Sequence, residues 1–298
     1  MMKPYPKISV ITPSYNSGKY IECAIKSVLK QNYPNFEHIV VDGGSSDETV
    51  NILKKHPHLM WLSEKDQGQS DAMNKGFKLS DGQIVVYLNA DDYFEEGAFH
   101  AVLPYFMGGA QFVVGRIRVI RDDGSSWINN PKVDFFEMLK WWQKDAFCFN
   151  PVGYFYRREV QAGVGGFDIQ DNTAMDLDFL LRCAIKFKFV KSDQVLGTFR
   201  LVEGTKTFNC FIDDHYAKKI AICDKYSTYL DNQHYSLYLE QRAKQLRYLK
   251  SRKVIEQGIK DFRIHYKNRR WISSILSIFK ILLWFPLYLP MLIRRRIS

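Results

Sequence analysis

Asp91 and Asp92 follow directly on the apolar run Ile84-Val85-Val86-Tyr87-Leu88, with only Asn89 and Ala90 between. Adjacent carboxylates repel each other unless solvent or a cation compensates them. A short, continuous β-branched and apolar run is what a strand covered on both faces of a parallel sheet requires. The C-terminal edge of such a sheet is where ligands bind in open α/β folds. Hard oxygen ligands placed there suit Mg²⁺ or Mn²⁺, and those cations suit a diphosphate. The plainer reading is an acidic turn that caps the next helix, because Asp is favoured in turns and at N-caps.

The elements needed to position such a site run through the first third of the chain. Ile8 to Thr12 reads as a strand, and Pro13-Ser14-Tyr15-Asn16 as the loop that leaves it. The next helix carries Ile21, Ala24, Ile25, Val28 and Leu29 on one face, a 3.6-residue period. Phe36 to Val41 is a second strand, ending in Asp42-Gly43-Gly44-Ser45-Ser46-Asp47. The glycines allow close approach of a ligand to the backbone, and Ser46 or Asp47 can cap a helix running to Leu53. Leu59 to Ser63 is a third strand, followed by Asp66-Gln67-Gly68 and a helix from about Gln69 to Leu79. Strand and helix in this rhythm predict a parallel, doubly wound α/β sheet with helices on both faces. The loops after residues 12, 41 and 88 are then expected to converge on one sheet edge.

The same loops carry a recognisable order. Thr12-Pro-Ser-Tyr-Asn16, Val41-Asp-Gly-Gly-Ser-Ser-Asp47, Asp66-x-Gly68-x-x-Asp71-Ala-x-Asn74-x-Gly76, Leu88-Asn-Ala-Asp-Asp92, Gly165-Gly-Phe-Asp168 and Asp176-Leu-Asp178-Phe-Leu-Leu-Arg182 follow one another over roughly residues 7 to 205. Taken as a set, they resemble an inverting glycosyltransferase of family 2 with the GT-A nucleotide-binding fold. The similarity is greatest to bacterial enzymes that build surface and capsular polysaccharides. The resemblance implies that Pro13, Tyr15 and Asn16 floor the nucleoside site, that Asp42 pairs with the base or ribose, and that Gly68 and Asn74 belong to the donor site. It implies that Asp91 ligates Mn²⁺ or Mg²⁺ as the acid of a D-x-D motif, with Asp92 as its supporting neighbour. It makes Asp176 the catalytic base at the start of a helix, with Asp178 as the competitor and a helix N-cap as the non-catalytic alternative. Four features depart from the family pattern: Asn89 stands in place of the first D-x-D carboxylate, Met175 in place of the Glu that often precedes the base, a frequent Arg of the third loop is absent near Met73, and a frequent His of the acceptor-side strand is replaced by Pro151 or Val152.

The chemistry accounts for those residue types. Inverting transfer is an in-line displacement at the anomeric carbon, with a hydroxyl attacking one face while a nucleoside diphosphate leaves from the other. The anionic leaving group calls for a cation, and the attacking hydroxyl for a base within hydrogen-bond reach of its proton. A glycoside hydrolase would instead need two carboxyl groups flanking the bond, one of them protonated.

The 298 residues, 46% hydrophobic, suffice for one large core with an appendage. Five dispersed cysteines without C-x-x-C spacing point to reduced thiols, and the N-terminal residues lack the apolar core of a signal peptide. The net charge of +10 is unevenly placed: residues 1–205 hold 23 Lys and Arg against 25 Asp and Glu, and residues 206–298 hold 19 against 7. Helical patterns run from Phe211 to about Tyr229 and from about Tyr235 to Phe262. An apolar stretch, Trp271 to Ile293, follows; it is interrupted by Lys280, Pro286 and Pro290, and flanked by Arg269 and Arg270 before and Arg294 to Arg296 after. Arginines at both ends, with Trp271, Trp284 and Tyr288, suit a segment lying in or dipping into an anionic membrane surface. A spanning helix and a helix docked on the catalytic domain are the alternatives.

The expected organisation is a GT-A-type, mostly parallel catalytic domain at 1–205 and a basic helical, membrane-associating extension at 206–298, with the apolar segment at 271–293. The expected function is transfer of one sugar from a nucleoside diphosphate-sugar, a UDP-sugar foremost, to a polyprenyl-linked saccharide at the cytoplasmic membrane face. A dinucleotide oxidoreductase is disfavoured because the glycine loop lacks G-x-G-x-x-G spacing. A processive synthase would carry Q-x-x-R-W, whereas the nearest string is Lys267-Asn-Arg-Arg-Trp271. An inactive membrane-bound sugar-nucleotide-binding protein conflicts with the joint presence of Asp91, Asp92 and Asp176. No reader motif accompanies the basic tail, so no nucleic acid partner is expected.

Overall fold

The computed structural model describes residues 5–201 and 212–267. Four strands open the chain, β1 (Ile8–Ser14), β2 (Phe36–Asp42), β3 (Leu59–Ser63) and β4 (Ile84–Tyr87), separated by helices α1 (Ile21–Leu29), α2 (Thr49–Leu53) and α3 (Gln69–Leu79). They pair in parallel in the order β3-β2-β1-β4. The register sets Ser14 opposite Asp42 and Asp42 opposite Ser63, so three strands end level. Leu88 continues the alignment by donating its N–H to the Ile11 carbonyl at 3.0 Å. The three loops predicted to converge therefore leave the sheet at one edge.

Helices cover both faces of this half, because successive strand residues point opposite ways. Val40 packs with Ile21 and Ile25 of α1 and Leu53 of α2. Val41, its neighbour, faces α3, which lies so close that a Cβ on Gly76 would meet the Ile11 Cγ2 at 2.3 Å. The apolar face of α1 is buried at Ile21, Ala24, Ile25 and Val28, but Leu29, expected on that face, is 40% exposed at the helix end.

Beyond β4 the sheet stops being parallel. After β5 (Tyr93–Phe94) and α4 (Ala98–Met107) come β6 (Phe112–Arg121), β7 (Ser126–Asn129), α5 (Phe135–Leu139), β8 (Tyr154–Arg157), α6 (Arg158–Val164), α7 (Met175–Lys186) and β9 (Phe189–Leu201). The path continues β4-β8-β6-β9-β5, with β7 on β6. Only β6 and β9 pair in parallel here; β8 lies antiparallel to β4 and β6, and β5 and β7 are antiparallel to their partners. The sheet is thus mixed, and the expectation of a mostly parallel sheet holds for its first half. Strand direction is a non-local choice that residue patterns do not encode.

The first compact unit runs to Tyr229, past the expected boundary at 205, because α8 (Ile212–Ser227) belongs to it. Tyr226 of α8 donates its hydroxyl to Asp178 of α7 at 2.8 Å, and Tyr216 lies against Trp141 at a centroid distance of 5.0 Å. The second unit contains α9 (Asn232–Lys267), a polar helix with i,i+4 ion pairs Lys244–Glu240 and Arg252–Glu256. No helix among the described residues is long and apolar enough to cross a membrane. The segment 271–293 lies outside the described residues.

Candidate active site

The level sheet edge opens into a cavity of about 1220 Å³. On one side the end of β1 and the loops after β1, β2 and β4 supply Pro13, Tyr15, Asn16, Gly43, Gly44 and Asn89 to Asp91; on the other, the start of α7 supplies Asp176. Gly68 lies on the wall between them.

Each edge loop is braced by its neighbour. Asn16, in the left-handed region at φ 48°, donates its N–H to Ser45 Oγ at 2.7 Å and accepts from the Ser46 N–H at 2.9 Å. Asn is among the few non-glycine residues that adopt this conformation at low cost. The anchor leaves Tyr15 on the cavity wall, 65% exposed. Asp47 accepts from the Gly18 N–H at 2.9 Å and the Thr49 N–H at 3.0 Å, so from the position before the N-cap Glu48 it satisfies one first-turn N–H of α2 while tying down the β1 loop. Gly68, at φ 106°, turns the chain into α3, and a Cβ there would meet the Asn172 side chain at 2.8 Å.

Asp91 reaches the cavity wall, and no other residue donates a hydrogen bond to its carboxylate among the described residues. Burial pushes its pKa above the ordinary carboxylate value. Asp92 points the other way and is fully buried. Its Oδ2 accepts from Asn89 Nδ2 at 3.0 Å and Asn150 Nδ2 at 2.8 Å, and its Oδ1 accepts from the Arg200 N–H at 3.0 Å. Burial and the adjacent Asp91 charge push it well above the ordinary range, against the pull of those donors. Asp92 therefore ties the β4 loop to the turn at Asn150 and to β9, and does not face a ligand. Asn89 keeps its Oδ1 towards the cavity side, accepting from Gln69 Nε2 at 2.9 Å.

These groups fit a hard cation as a partial site. No cluster of three or more His, Cys, Asp or Glu side chains able to hold a metal occurs among the described residues. One open carboxylate with a neutral amide oxygen nearby is the donor set expected where Mg²⁺ or Mn²⁺ is shared with substrate phosphates.

Asp176 arrives from far along the chain through contacts that α3 makes with the segment before α7. Asn74 donates to the Phe167 carbonyl and accepts its N–H, both at 2.8 Å. Asn172 Oδ1 accepts the Ser70 N–H at 3.0 Å, and Ser70 Oγ donates to the Asp171 carbonyl at 3.0 Å. Met175, where the family pattern often has Glu, is buried with its sulfur 2.8 Å from the same Ser70 Oγ. Asp176 then stands in the first turn of α7, two residues past the N-cap Ala174, with Tyr154 Oη donating to its Oδ1 at 3.2 Å. Burial, then the Asp176 charge, pushes the Tyr154 phenol well above its ordinary value, so it remains a donor. The competitor Asp178 is committed elsewhere: its Oδ2 pairs with Arg182 Nε at 2.8 Å and its Oδ1 accepts from Tyr226.

Of the expected site residues, the cavity gathers Pro13, Tyr15, Asn16, Gly68, Asn89, Asp91 and Asp176. Asp42, Asn74 and Asp92 do not line it. Asp42 is fully buried, its carboxylate accepting from the Gly44 and Ser45 N–H groups at 3.2 and 2.9 Å, from Ser63 Oγ at 2.6 Å and from Ser45 Oγ. A base or ribose would reach it only by displacing a serine hydroxyl. Asn74 is spent on both backbone groups of Phe167. Sequence reasoning missed Tyr154, Lys19, Lys65 and an aromatic wall at Trp141, Phe147, Phe149, Phe199 and Tyr216. The density of aromatic residues from Phe135 to Phe149 was the available signal for that wall.

Comparison with known proteins agrees with this geometry. The family model described as Glycosyl transferase family 2 matches residues 9–164. A PGL/p-HBAD biosynthesis glycosyltransferase of Mycobacterium bovis is 29% identical over 186 residues, covering 60% of this chain and 70% of the relative. The putative teichuronic acid biosynthesis glycosyltransferase TuaG of Bacillus subtilis is 37% identical over 108 residues, covering 34% of this chain and 42% of the relative. Among solved structures, S. aureus TarS 1-349 in complex with UDP-GlcNAc superposes with TM-score 0.59 at 21% identity, over 78% of this chain and 70% of that one. A mannosyltransferase from Pyrobaculum calidifontis in complex with GDP-Man and Mn²⁺ does so with TM-score 0.52 at 18% identity, over 95% and 90%. At these identities the structural likeness speaks for the fold alone, an α/β glycosyltransferase fold.

Proposed function

The chain belongs to glycosyl transferase family 2, and on that premise we propose that its cavity moves one sugar from a nucleoside diphosphate-sugar, with inversion, to a hydroxyl of a saccharide acceptor. The observation that carries this reading is the shared cavity: the open carboxylate of Asp91 and the Tyr154-held carboxylate of Asp176 stand on walls of the same space, beside three loops of a nucleotide-binding edge. Pro13, Tyr15, Asn16 and Gly68 support the nucleoside, Asp91 with Asn89 holds Mn²⁺ or Mg²⁺, and Asp92 keeps that loop in place. The cation, when bound, stabilises the charge of the departing diphosphate as a Lewis acid. Asp176 accepts the proton of the acceptor hydroxyl as its oxygen bonds to the anomeric carbon and the bond to the diphosphate breaks.

A UDP-sugar is the favoured donor, with support from the UDP-GlcNAc complex of the similar TarS structure. Relatives named for PGL/p-HBAD and teichuronic acid biosynthesis support an acceptor in surface glycan assembly. The apolar, arginine-flanked segment 271–293 supports a lipid-linked acceptor met at the cytoplasmic membrane face.

A thermal-shift panel of UDP-, GDP-, CDP- and dTDP-sugars, each with and without Mn²⁺, tests the donor. A ligand at 100 times its Kd stabilises by about 2.7 kcal/mol, enough to rank the four. The expected result is a Mn²⁺-dependent shift greatest with a UDP-sugar; equal, metal-independent behaviour of all four would refute the donor and metal roles.

A further inference from the structure

The wall of the cavity away from the nucleotide loops is built from the segment after α5, which lies within the residues 9–164 that the family model matches, and from the end of β9 and α8, which lie beyond them. Its aromatic rings form a chain. Tyr216 and Trp141 lie 5.0 Å apart, Phe147 and Phe149 6.4 Å, and Phe149 and Phe199 5.9 Å. Lys219 joins the two ends, its Nζ standing 5.0 Å from the Trp141 ring centre and 5.7 Å from that of Phe147. Cation–π attraction holds an ammonium in such a place. The helix that presents Tyr216 and Lys219 is itself secured to α7 by the Tyr226–Asp178 bond, so the wall and the base Asp176 are parts of one packed arrangement. Among the described residues of this wall, Lys219 carries the positive charge.

We propose that this wall is an acceptor subsite for a saccharide bearing a negative charge, with Lys219 as the residue that selects it. The inference rests on the glycosyl-transfer reading above and extends it to the class of acceptor. Sugar rings present C–H faces whose positive edge suits the negative face of an aromatic ring, so a ring laid on Trp141 is held without a fixed hydrogen-bond pattern. The wall alone would accept any pyranose. The ammonium adds the discrimination: an acceptor with a carboxylate or a phosphate at one end directs that end to Lys219, and its attacking hydroxyl, at the opposite end, faces Asp176. Two anions kept at opposite ends of one ring also avoid each other, which a charge placed beside Asp176 would not.

The test uses the full-length protein with saturating UDP and three small probes: methyl β-glucoside, methyl β-glucuronide and glucose 1-phosphate. Binding is followed by ligand-observed NMR. One charge-assisted hydrogen bond corresponds to a preference of about tenfold for an anionic probe over the glucoside. The carboxylate and phosphate arms then tell which anion the site prefers. Lys219→Gln is expected to erase that preference by weakening the anionic probes about tenfold, with methyl β-glucoside unchanged, and Lys219→Arg to keep it. Trp141→Ala is expected to weaken all three, and Trp141→Phe to restore them. Equal affinity for the three probes, no binding of any, or a Lys219→Gln variant that weakens glucoside and anions alike would overturn the proposal. UDP affinity, set by the other loops, is read in parallel: discrimination among the saccharides in a chain that does not bind UDP would refute the transferase reading and leave the subsite standing.

Discussion

Replacing Asp176 by Asn separates a catalytic carboxylate from a structural one. The residue lies in the first turn of α7, while the N-cap is Ala174 and makes no side-chain cap bond, so Asp176 does not close the helix end. Tyr154 donates its hydroxyl to Asp176 at 3.2 Å, and an Asn Oδ1 accepts that bond equally well. The charge itself also interacts with the helix N-terminus, and losing that costs about 0.3–1 kcal/mol. For a chain of this size that lowers Tm by about 2–4 °C at most. Loss of a general base costs about 10²–10⁴-fold in turnover, or about 3–5 kcal/mol of barrier at 1.36 kcal/mol per decade. Asp178→Asn makes the opposite expectation. It breaks the ion pair with Arg182 and weakens the bond from Tyr226, both 2.8 Å and largely shielded from solvent. Hydrogen bonds to charged groups contribute about 1.5–3 kcal/mol each, so Tm should fall well beyond the Asp176 variant while turnover per folded molecule stays near normal. The assay is donor-dependent release of UDP with an acceptor present, alongside a melting curve and UDP binding for each variant. Near-normal turnover in Asp176→Asn, or a comparable loss of turnover confined to Asp178→Asn, would refute the assignment of the base.

Asp91→Ala should abolish the Mn²⁺ dependence of donor binding, because Asp91 is the open carboxylate at the β4 loop; donor titrations at fixed Mn²⁺ and in EDTA measure this, and unchanged metal-dependent affinity would refute it. His38 should make the fold acid-sensitive. It is fully buried, its Nε2 2.9 Å from Thr12 Oγ1 and its Nδ1 without a partner, and burial lowers its pKa from the ordinary 6.5 to about 3. The unfolded chain therefore takes up the proton first, so this contribution is complete above pH 6.5 and is lost as pH falls towards 3, by up to about 5 kcal/mol. Denaturant unfolding across that range reads the slope, and His38→Leu should flatten it. Truncation after Lys267 should leave nucleotide binding intact and remove affinity for anionic vesicles in a flotation assay. High salt should release the full-length chain from them only partly, since apolar burial persists when charge is screened. Equal vesicle binding by both chains would end the membrane reading of residues 271–293.

The residues alone determined the first half of this protein. A strand buried on both faces must be continuously apolar, so β4 was written in Ile84 to Leu88, and the alternation of strand and helix patterns placed β1, β2 and β3 at Ile8 to Thr12, Phe36 to Val41 and Leu59 to Ser63, with loops expected to share an edge. The family pattern named Asp91 and Asp176, and both reach the cavity. Tertiary structure decided the rest. Whether β8 runs with or against β4 depends on how the chain returns from α4 and β6, contacts that no local pattern carries. At the end of a strand, the sequence does not say which of two neighbouring acids turns inward. Asp92 does so because Asn89, Asn150 and the Arg200 N–H meet it there, and Asp42 because Ser45 and Ser63 do. The aromatic wall was equally hidden: Trp141, Phe199, Tyr216 and Lys219 are spread over some 80 positions, and only the docking of α8 through Tyr226 on Asp178 brings them to one side of one cavity. Burial and a partner's position set the direction of a polar side chain, and both are properties of the packed chain, not of the residue.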